Sequence, residues 1–280
     1  MYLIADSGST KTQWCMVENG EREVVYTSGI NPVYQSEQEI LQILEQEFPA
    51  HKAKAEAVYF YGAGCAFPEK NEQVKKALTD FFRTPQVEIA SDLLAAARSL
   101  LLHSAGIACI LGTGSNSCYY DGHSIVRNIS PLGFILGDEG SGAVMGKRLV
   151  ADVLKGILPE KLRECFFGEY RYSYPEIIDR VYRQPLPNRF LASFTPFLKK
   201  YIAYPEIENI VCTALEEFIC RNLLQYREIR RLPVSFTGSV AFYFREQLLC
   251  LLEKYDLCPG QICQTPMEGL ITFHTAPSLQ

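Results

Sequence analysis

The sequence predicts an α/β protein made of two related domains, and three observations carry that prediction. The chain has 280 residues, which at roughly 150 residues per domain indicates two domains. Short apolar runs alternate with segments of helical periodicity, as in layered α/β folds. A Gly/Ser/Thr loop between two apolar runs occurs at Gly8 and again at Gly114. We therefore expect one domain over 1–105 and a second over 106–266, with a terminal helix at about 267–280 that packs back on the first domain.

Apolar runs and helical spacing give the elements of both halves. The first half has predicted strands at 2–5, 13–17, 23–27, 57–61 and 87–90, and predicted helices at 37–48, at 69–82 and from Ser91 onward. The second half has predicted strands at 106–111, 116–120, 233–237 and about 261–264, and predicted helices at about 143–154, 205–230 and 240–255. Three hairpin strands followed by alternating strands and helices predict a mixed sheet flanked by helices in each domain.

The longest of these helices depends on one apolar stripe. Ile207, Ile210, Val211 and Ala214 recur at the spacing of one helix face. This pattern predicts a single amphipathic helix over about 205–230 whose stripe faces the core.

Composition and charge exclude several functional classes. Hydrophobic residues make up 48% of the chain and charged residues 21%, which favours a packed core over disorder. The formal net charge is −5 and there is no Lys/Arg run, so nucleic acid and anionic membranes are poor partners. The N-terminus goes directly into an apolar strand without the features of a signal peptide or membrane helix, which predicts a cytoplasmic protein.

The ten cysteines do not form a metal-binding pattern. They include no C-x-x-C pair, and the four histidines are isolated from one another in sequence. We expect no zinc site, and we expect most of the thiols to be free and buried.

A candidate phosphate loop follows the first predicted strand. Asp6 places a carboxylate at the strand end, and the small residues after it allow backbone N–H groups to approach an anion closely. A Walker A loop is excluded, because a second Gly before the Lys is missing and an apolar strand follows instead of a helix. A simple hairpin turn remains the alternative.

The loop over 112–115 is open to the same two interpretations, a phosphate loop or a simple turn. Its matching place in the second half favours a pair of loops that bind one polyphosphate from two sides.

Two further carboxylates and one glycine turn complete the candidates. Asp92 opens a helix, where it suits either a first-turn charge or a general base. Asp138, flanked by glycines, suits either a helix N-cap or a group that accepts hydrogen bonds from sugar hydroxyls. Gly238 lies between a strand and a helix, where the backbone can admit a flat ligand such as adenosine.

The order of these motifs resembles the N-acetylglucosamine kinase branch of the BadF/BadG/BcrA/BcrD-type ATPase family, within the sugar kinase, Hsp70 and actin superfamily. The resemblance spans residues 6 to about 270, and the Gly-Asp-Glu-Gly-Ser element at 137–141 is its most specific part. It implies two ribonuclease H-like (actin-like ATPase) domains with a cleft between them. It also implies an ATP-dependent kinase that uses Mg²⁺.

The resemblance implies a role for each candidate residue. Asp6 would hold Mg²⁺ through water, and Asp92 would be the base that deprotonates the sugar hydroxyl. The β- and γ-phosphates would meet a first loop formed by Ser7, Gly8, Ser9, Thr10 and Lys11 and a second formed by Gly112, Thr113, Gly114 and Ser115. The adenosine would be bordered by Gly238 and Ser239, and the sugar would be bound by Asn31, Asp92, Gly133 and Asp138. Asn31 precedes a proline, so an ordinary turn is the alternative for that residue.

The chain departs from the family pattern at two places. Ser7 and Ser9 stand where the first loop usually has glycines, which can alter the approach of the backbone to phosphate. Leu132 stands where relatives carry an aromatic residue, six positions before Asp138, so the surface on which a sugar would stack is changed.

The leading hypothesis is an ATP-dependent kinase for an amino sugar, most of all N-acetylglucosamine or a related N-acetylhexosamine. The alternative is an ATPase activator that drives a radical dehydratase or reductase and shares an iron-sulfur cluster in a dimer. A non-catalytic sugar sensor is a third class, but a helix-turn-helix extension for reading DNA is missing. The sequence leaves open the sugar, the hydroxyl that is phosphorylated, and whether the chain forms a homodimer.

Overall fold

The computed structural model describes residues 1–8, 11–18, 20–49 and 54–275. The chain forms two compact units. The first comprises Met1–Leu102 together with Pro266–Gln280, and the second comprises His103–Thr265.

The first unit begins as a three-stranded meander and continues as alternating strands and helices. Its elements are β1 (Tyr2–Ser7), β2 (Lys11–Glu18), β3 (Glu21–Ser28), α1 (Glu37–Glu47), β4 (Ala57–Gly62), α2 (Pro68–Phe82), β5 (Val87–Ser91) and α3 (Asp92–Leu101). The strand order in the sheet is β3-β2-β1-β4-β5. β1 pairs antiparallel with β2 and parallel with β4, so the sheet is mixed.

The second unit repeats this sheet and adds a larger helical layer. Its elements are β6 (Gly106–Leu111), β7 (Ser115–Tyr120), β8 (Ile125–Ile129), α4 (Gly133–Leu136), α5 (Gly142–Leu154), α6 (Glu160–Tyr170), α7 (Tyr174–Tyr182), α8 (Pro187–Ala192), α9 (Thr195–Lys200), α10 (Pro205–Arg221), β9 (Val234–Thr237), α11 (Ser239–Tyr243), α12 (Arg245–Lys254) and β10 (Pro259–Cys263). The strand order is β10-β9-β6-β7-β8. The last helix, α13 (Met267–Thr275), belongs to the first unit.

The two sheets have the same topology. In each, an antiparallel meander of three strands occupies one side of the sheet, and its first strand continues into two parallel strands on the other side. The predicted α/β class with two mixed sheets flanked by helices is therefore confirmed.

Alternation along the strands explains why both faces of the first sheet are covered. Leu3 and Trp14 pack in one core with residues of α1 and α2. Ile4 and Cys15, one position away on the same strands, pack in a second core with residues of α3 and α13. Successive side chains of a strand point to opposite faces, so each apolar run of this sheet needs a helical layer on both sides.

Two predicted helices have different bounds in the structure. The helix predicted to reach about residue 230 ends at Arg221, where a short 3₁₀ turn, Leu223–Gln225, begins. The helix predicted over 240–255 is two helices that meet at Phe244. Strand β8 and the separate helices α6 to α9 were not resolved by the sequence pattern. Among the described residues, no helix has the length and apolar character needed to cross a membrane.

Candidate functional site

The strand register of the first unit brings two carboxylates to one edge of the sheet. Asp6 pairs with Tyr61 of β4, and Gly62 pairs with Ser91 of β5. Because β1, β4 and β5 run parallel, their carboxyl ends meet at the same edge. Asp6 and the residue that follows β5, Asp92, therefore lie two strands apart at that edge, close enough for the charge of Asp92 to raise the pKa of Asp6.

Asp92 is held at the start of α3 by its neighbours. Ser91 is the N-cap, and its hydroxyl accepts the backbone N–H of Leu94 at 3.2 Å. Oδ1 of Asp92 accepts the backbone N–H of Leu93 at 2.8 Å. Burial raises the pKa of Asp92, and hydrogen bonds from the backbone N–H groups of Leu93 and of Asp92 itself oppose the rise. The cap of this helix is thus Ser91, and Asp92 is a charge in its first turn.

The carboxyl group of Asp6 is also perturbed. Burial, and then the charge of Asp92, raise its pKa from 3.8 to about 7. Two carboxylates in a poorly hydrated place repel each other, and a hard divalent cation would relieve that repulsion. The donor set at Asp6 is therefore chemically suited to Mg²⁺, with water completing the coordination shell. Among the described residues, no cluster of three or more His, Cys, Asp or Glu side chains forms a larger metal site.

The side chain of Ser7 makes hydrogen bonds within the first unit. Its hydroxyl lies 2.7 Å from Oγ1 of Thr12 and bonds both the carbonyl and the backbone N–H of Ile30, at 2.9 and 3.0 Å. Ser7 is buried, with 1% of its surface exposed. Ser7, which stands where the first loop of the resembling family usually has a glycine, therefore links β1 by hydrogen bonds to the segment that precedes Asn31.

Gly8 and Lys11 lie at the two ends of the first loop, between β1 and β2. The backbone N–H of Gly8 donates to the carbonyl of Lys11 at 3.1 Å, and the Lys11 ammonium lies 4.8 Å above the ring of Tyr26. Both Gly8 and Lys11 are exposed. Ser9 and Thr10, which the sequence also predicted as phosphate contacts, lie outside the described residues.

Asn31 forms a turn through its Oδ1 atom, which leaves its Nδ2 amide to be considered as a donor to a ligand. Its Oδ1 accepts the backbone N–H of Val33 at 3.0 Å, and its backbone N–H donates to Gln35 at 2.7 Å. Gly64 packs against this oxygen, and a Cβ atom there would lie 2.4 Å from it. Within the described part of the chain, the Nδ2 amide of Asn31 donates no hydrogen bond, so it can still donate one to a ligand.

The second loop is hydrogen-bonded to the start of α5. The carbonyls of Gly112 and Thr113 accept the backbone N–H groups of Gly142 and Ala143 at 2.8 and 3.1 Å. The N-cap Ser141 satisfies the next N–H, that of Val144, at 3.2 Å. These bonds use the first N–H groups of the helix, so α5 positions the loop and its own N-terminus is not a free anion site.

Asp138 lies directly against this second loop. Oδ1 accepts the backbone N–H of Ser115 at 3.3 Å, and a Cβ atom at Gly114 would lie 3.2 Å from Oδ2. The Asp138 backbone is left-handed, with φ 54°, and its N–H donates to Pro131. Burial raises the pKa of Asp138, and the Ser115 N–H opposes the rise. The alternative that Asp138 is the N-cap of α5 is wrong, because Ser141 occupies that position.

Leu132 and Gly133 form a corner at the start of α4. Both are left-handed, with φ 62° and 72°, and Leu132 is 63% exposed. A Cβ atom at Gly133 would meet nothing within 4 Å, so this glycine borders open space. The hydrogen bond from Asp138 to Pro131 places this corner beside the Asp138 turn.

Gly238 and Ser239 lie beside a cavity of about 500 Å³ within the second unit. Gly238 has φ 114°, and a Cβ atom there would lie 2.3 Å from the carbonyl oxygen of Leu111, so only glycine fits. Ser239 begins α11 and lines the cavity. The other lining residues are Thr195, Pro196, Lys199, Lys200, Val240, Tyr243 and Phe244. Lys200 is paired with Glu169 at 2.5 Å, whereas Lys199 makes no ion pair with any described residue.

The structure thus brings the predicted residues together in two groups. Asp6 and Asp92 share one sheet edge of the first unit, and Gly114, Ser115 and Asp138 share one turn of the second. The sequence reasoning missed the residues of α9 that line the cavity, because nothing in a short helical segment distinguishes a cavity wall from an ordinary surface.

Comparisons with known proteins place this geometry in context. No family model matches the chain, and no curated protein matches it. Among solved structures, a candidate N-acetylglucosamine kinase from Porphyromonas gingivalis is 47% identical, with TM-score 0.93 and 98% of each chain covered. A second such candidate, from Chromobacterium violaceum, is 19% identical, with TM-score 0.73 and coverage of 97% of this chain and 98% of that one. MreB 5 of Spiroplasma citri, bound to AMPPNP, is 12% identical with TM-score 0.61, covering 98% and 94%. The last two likenesses concern the fold.

Proposed function

The chain belongs to the N-acetylglucosamine kinase-like branch of the BadF/BadG/BcrA/BcrD-type ATPase family and is an ATP-dependent sugar kinase, and we propose that it phosphorylates N-acetylglucosamine or a related N-acetylhexosamine. One observation carries this proposal. The relative from Porphyromonas gingivalis, a candidate for that activity, shares 47% of its residues with this chain over nearly the full length of both.

The nucleotide is ATP, and each unit has one loop suited to its phosphates, the loop after β1 in the first and the loop over 112–115 in the second. The hydrogen bonding of the second loop supports this assignment: the N–H groups of Gly112 and Ser115 donate to Gly114 and Asp138, whereas those of Thr113 and Gly114 donate to no described residue. Gly238 and Ser239 border the adenosine, next to the cavity of about 500 Å³. Mg²⁺, held through water by Asp6, neutralises charge on the transferring phosphoryl group when it is bound.

Asp92 is the general base. Its carboxylate accepts the proton of the sugar hydroxyl as the hydroxyl oxygen forms a bond to the γ-phosphorus, and the bond from that phosphorus to the bridging oxygen of ADP breaks. A raised pKa makes the carboxylate more basic, which favours proton transfer as long as it is ionised before the reaction. The Leu93 N–H holds Oδ1 of this carboxylate in place.

Each unit has side chains that suit a sugar ligand. Asn31 offers its Nδ2 amide, and Asp138 offers a buried carboxylate that accepts hydrogen bonds from hydroxyl groups. Gly133 leaves open space for the ring beside the exposed Leu132. This arrangement favours a polyol with several hydroxyl groups in fixed directions.

A panel of sugars tests the proposal. Purified protein with Mg²⁺ and ATP is mixed with N-acetylglucosamine, N-acetylmannosamine, N-acetylgalactosamine, glucosamine or glucose, and ADP release is followed by a coupled assay. We expect an N-acetylated hexosamine to give the highest kcat/KM. Release of ADP at one rate with every sugar and without sugar would contradict the proposal and favour an ATPase activator.

A further inference from the structure

Thr237 is a buried hydroxyl without a partner. It is the last residue of β9, only 4% of its surface is exposed, and within the described part of the chain its Oγ1 makes no hydrogen bond. Ser235, two residues earlier on the same face of the strand, differs in this respect, because its hydroxyl accepts the backbone N–H of Gln261 at 3.2 Å. A buried polar group left unpaired destabilises the fold, so the hydroxyl of Thr237 calls for a functional explanation.

The position of Thr237 relates it to the second phosphate loop. It pairs in register with Ile110, the residue before the last one of β6, and the loop starts at Gly112. The next residue, Gly238, passes directly over the Leu111 carbonyl. The Thr237 hydroxyl therefore lies at the sheet edge where the loop begins.

The residues that follow Thr237 in the chain lead to the cavity. Ser239 and Val240, the first residues of α11, line the cavity of about 500 Å³. A nucleotide with its base in this cavity and its phosphates at the loop over 112–115 must run past the end of β9. Thr237 is the residue that ends that strand.

We propose that the Thr237 hydroxyl donates a hydrogen bond to a phosphate oxygen of the bound nucleotide. The inference rests on the proposed function, since it takes the loop over 112–115 as the phosphate loop. A neutral hydroxyl that is already desolvated forms a strong bond to an anionic oxygen, because the free protein gives up no competing partner when the ligand binds. The ligand group is a phosphate of the nucleotide, and the base occupies the cavity.

Thr237→Val tests this inference, because valine has nearly the same shape and lacks the hydroxyl. The melting temperature of the free variant should equal or exceed that of the wild type, since no hydrogen bond is lost. Calorimetry should show ATP and ADP bound roughly tenfold to a hundredfold more weakly, as expected for one bond to a charged group. Adenosine, which has no phosphate, should bind with unchanged affinity.

Ser235→Ala is the matched control. It removes a hydroxyl that has a partner, so it should lower the melting temperature and leave the affinity for ATP unchanged. If Thr237→Val fails to fold, Thr237→Ser and Thr237→Ala replace it, with wild-type ATP affinity expected for the serine variant and weakened affinity for the alanine variant.

The outcomes separate the inference from the function on which it rests. Wild type that binds ATP, together with Thr237→Val that binds ATP equally well, overturns the role of Thr237 and leaves the kinase proposal standing. Weakened adenosine binding in Thr237→Val overturns the assignment to phosphate. Wild type that binds neither ATP nor ADP overturns the proposed function and this inference with it.

Discussion

The backbone N–H of Ser115 donates a hydrogen bond of 3.3 Å to Oδ1 of Asp138, 23 residues further along the chain. Gly114 lies against the same carboxylate, and a Cβ atom at that glycine would be 3.2 Å from Oδ2. The Gly-Asp-Glu-Gly-Ser turn thus contacts the loop over 112–115 directly. Under the proposed function, Asp138 would therefore affect both the sugar, through its carboxylate, and the nucleotide, through the loop.

Asp138→Ala is expected to raise the KM for the sugar by roughly tenfold to a hundredfold. A bound hydroxyl would lose a charged acceptor, which is worth about 1.5–3 kcal/mol. The KM for ATP should also rise, by a smaller factor, because the loop over 112–115 loses one hydrogen bond. Steady-state kinetics with each substrate varied in turn measures both effects.

Glu139→Gln is the control for that variant. Glu139 is paired with Arg221 at 2.6 Å and lies next to Asp138 in the same turn. Its change should leave both KM values close to those of the wild type. Equal effects of the two variants would mean that Asp138 only maintains the turn.

Asp92→Asn is expected to lower kcat by about 10²–10⁴, the usual contribution of a positioned base. Asparagine retains the size of the side chain and can still accept the Leu93 N–H. Binding of nucleotide and sugar, measured by calorimetry, should remain near wild type. A variant that turns over sugar at the wild-type rate would remove Asp92 from the role of base.

The raised pKa of Asp6 predicts a pH-dependent stability. Folding raises this pKa from 3.8 to about 7, so between these values the folded protein binds more protons at Asp6 than the unfolded protein. The contribution of Asp6 to the free energy of unfolding must then fall as pH rises from about 4 to 7.

Asp6→Asn should remove that contribution. In the absence of nucleotide and Mg²⁺, the variant should match the wild type near pH 4 and be more stable above pH 7, by at most about 4 kcal/mol. Urea denaturation at several pH values measures the difference. A difference that does not change with pH would show that the pKa of Asp6 is not raised by folding.

Ser7→Ala is expected to act on stability and sugar binding more than on ATP binding. The change leaves the Ile30 backbone with fewer partners and should cost about 1–3 kcal/mol of stability. Because Ile30 precedes Asn31, the KM for the sugar should rise while the KM for ATP changes little. A rise confined to the KM for ATP would instead identify the Ser7 hydroxyl as a phosphate contact.

Strand ends and glycine turns were the parts that the sequence could predict. A carboxylate after an apolar run, as at Asp6, marks the carboxyl end of a strand, and parallel strands bring such ends to one edge. The repeated Gly/Ser/Thr loop likewise predicted two sheets of the same topology. These features depend on local sequence alone.

Features set by tertiary contacts could not be predicted. The apolar stripe of α10 continues beyond Arg221, but the chain leaves the helix and the Tyr226 hydroxyl bonds Ser117 and the backbone of Ile129. The left-handed backbone of Asp138 depends on its bond to Pro131, which no spacing rule indicates. Thr237 precedes the predicted glycine turn at Gly238, but only its buried and unpartnered hydroxyl distinguishes it from a core residue.

Phosphorus NMR of the products tests the central claim most directly. Purified protein is incubated with Mg²⁺, ATP and N-acetylglucosamine, and the phosphate-containing products are identified. The account predicts equal amounts of ADP and a sugar phosphate ester, with little inorganic phosphate. ADP and inorganic phosphate in equal amounts, with no phosphate ester formed from any N-acetylhexosamine, would contradict it.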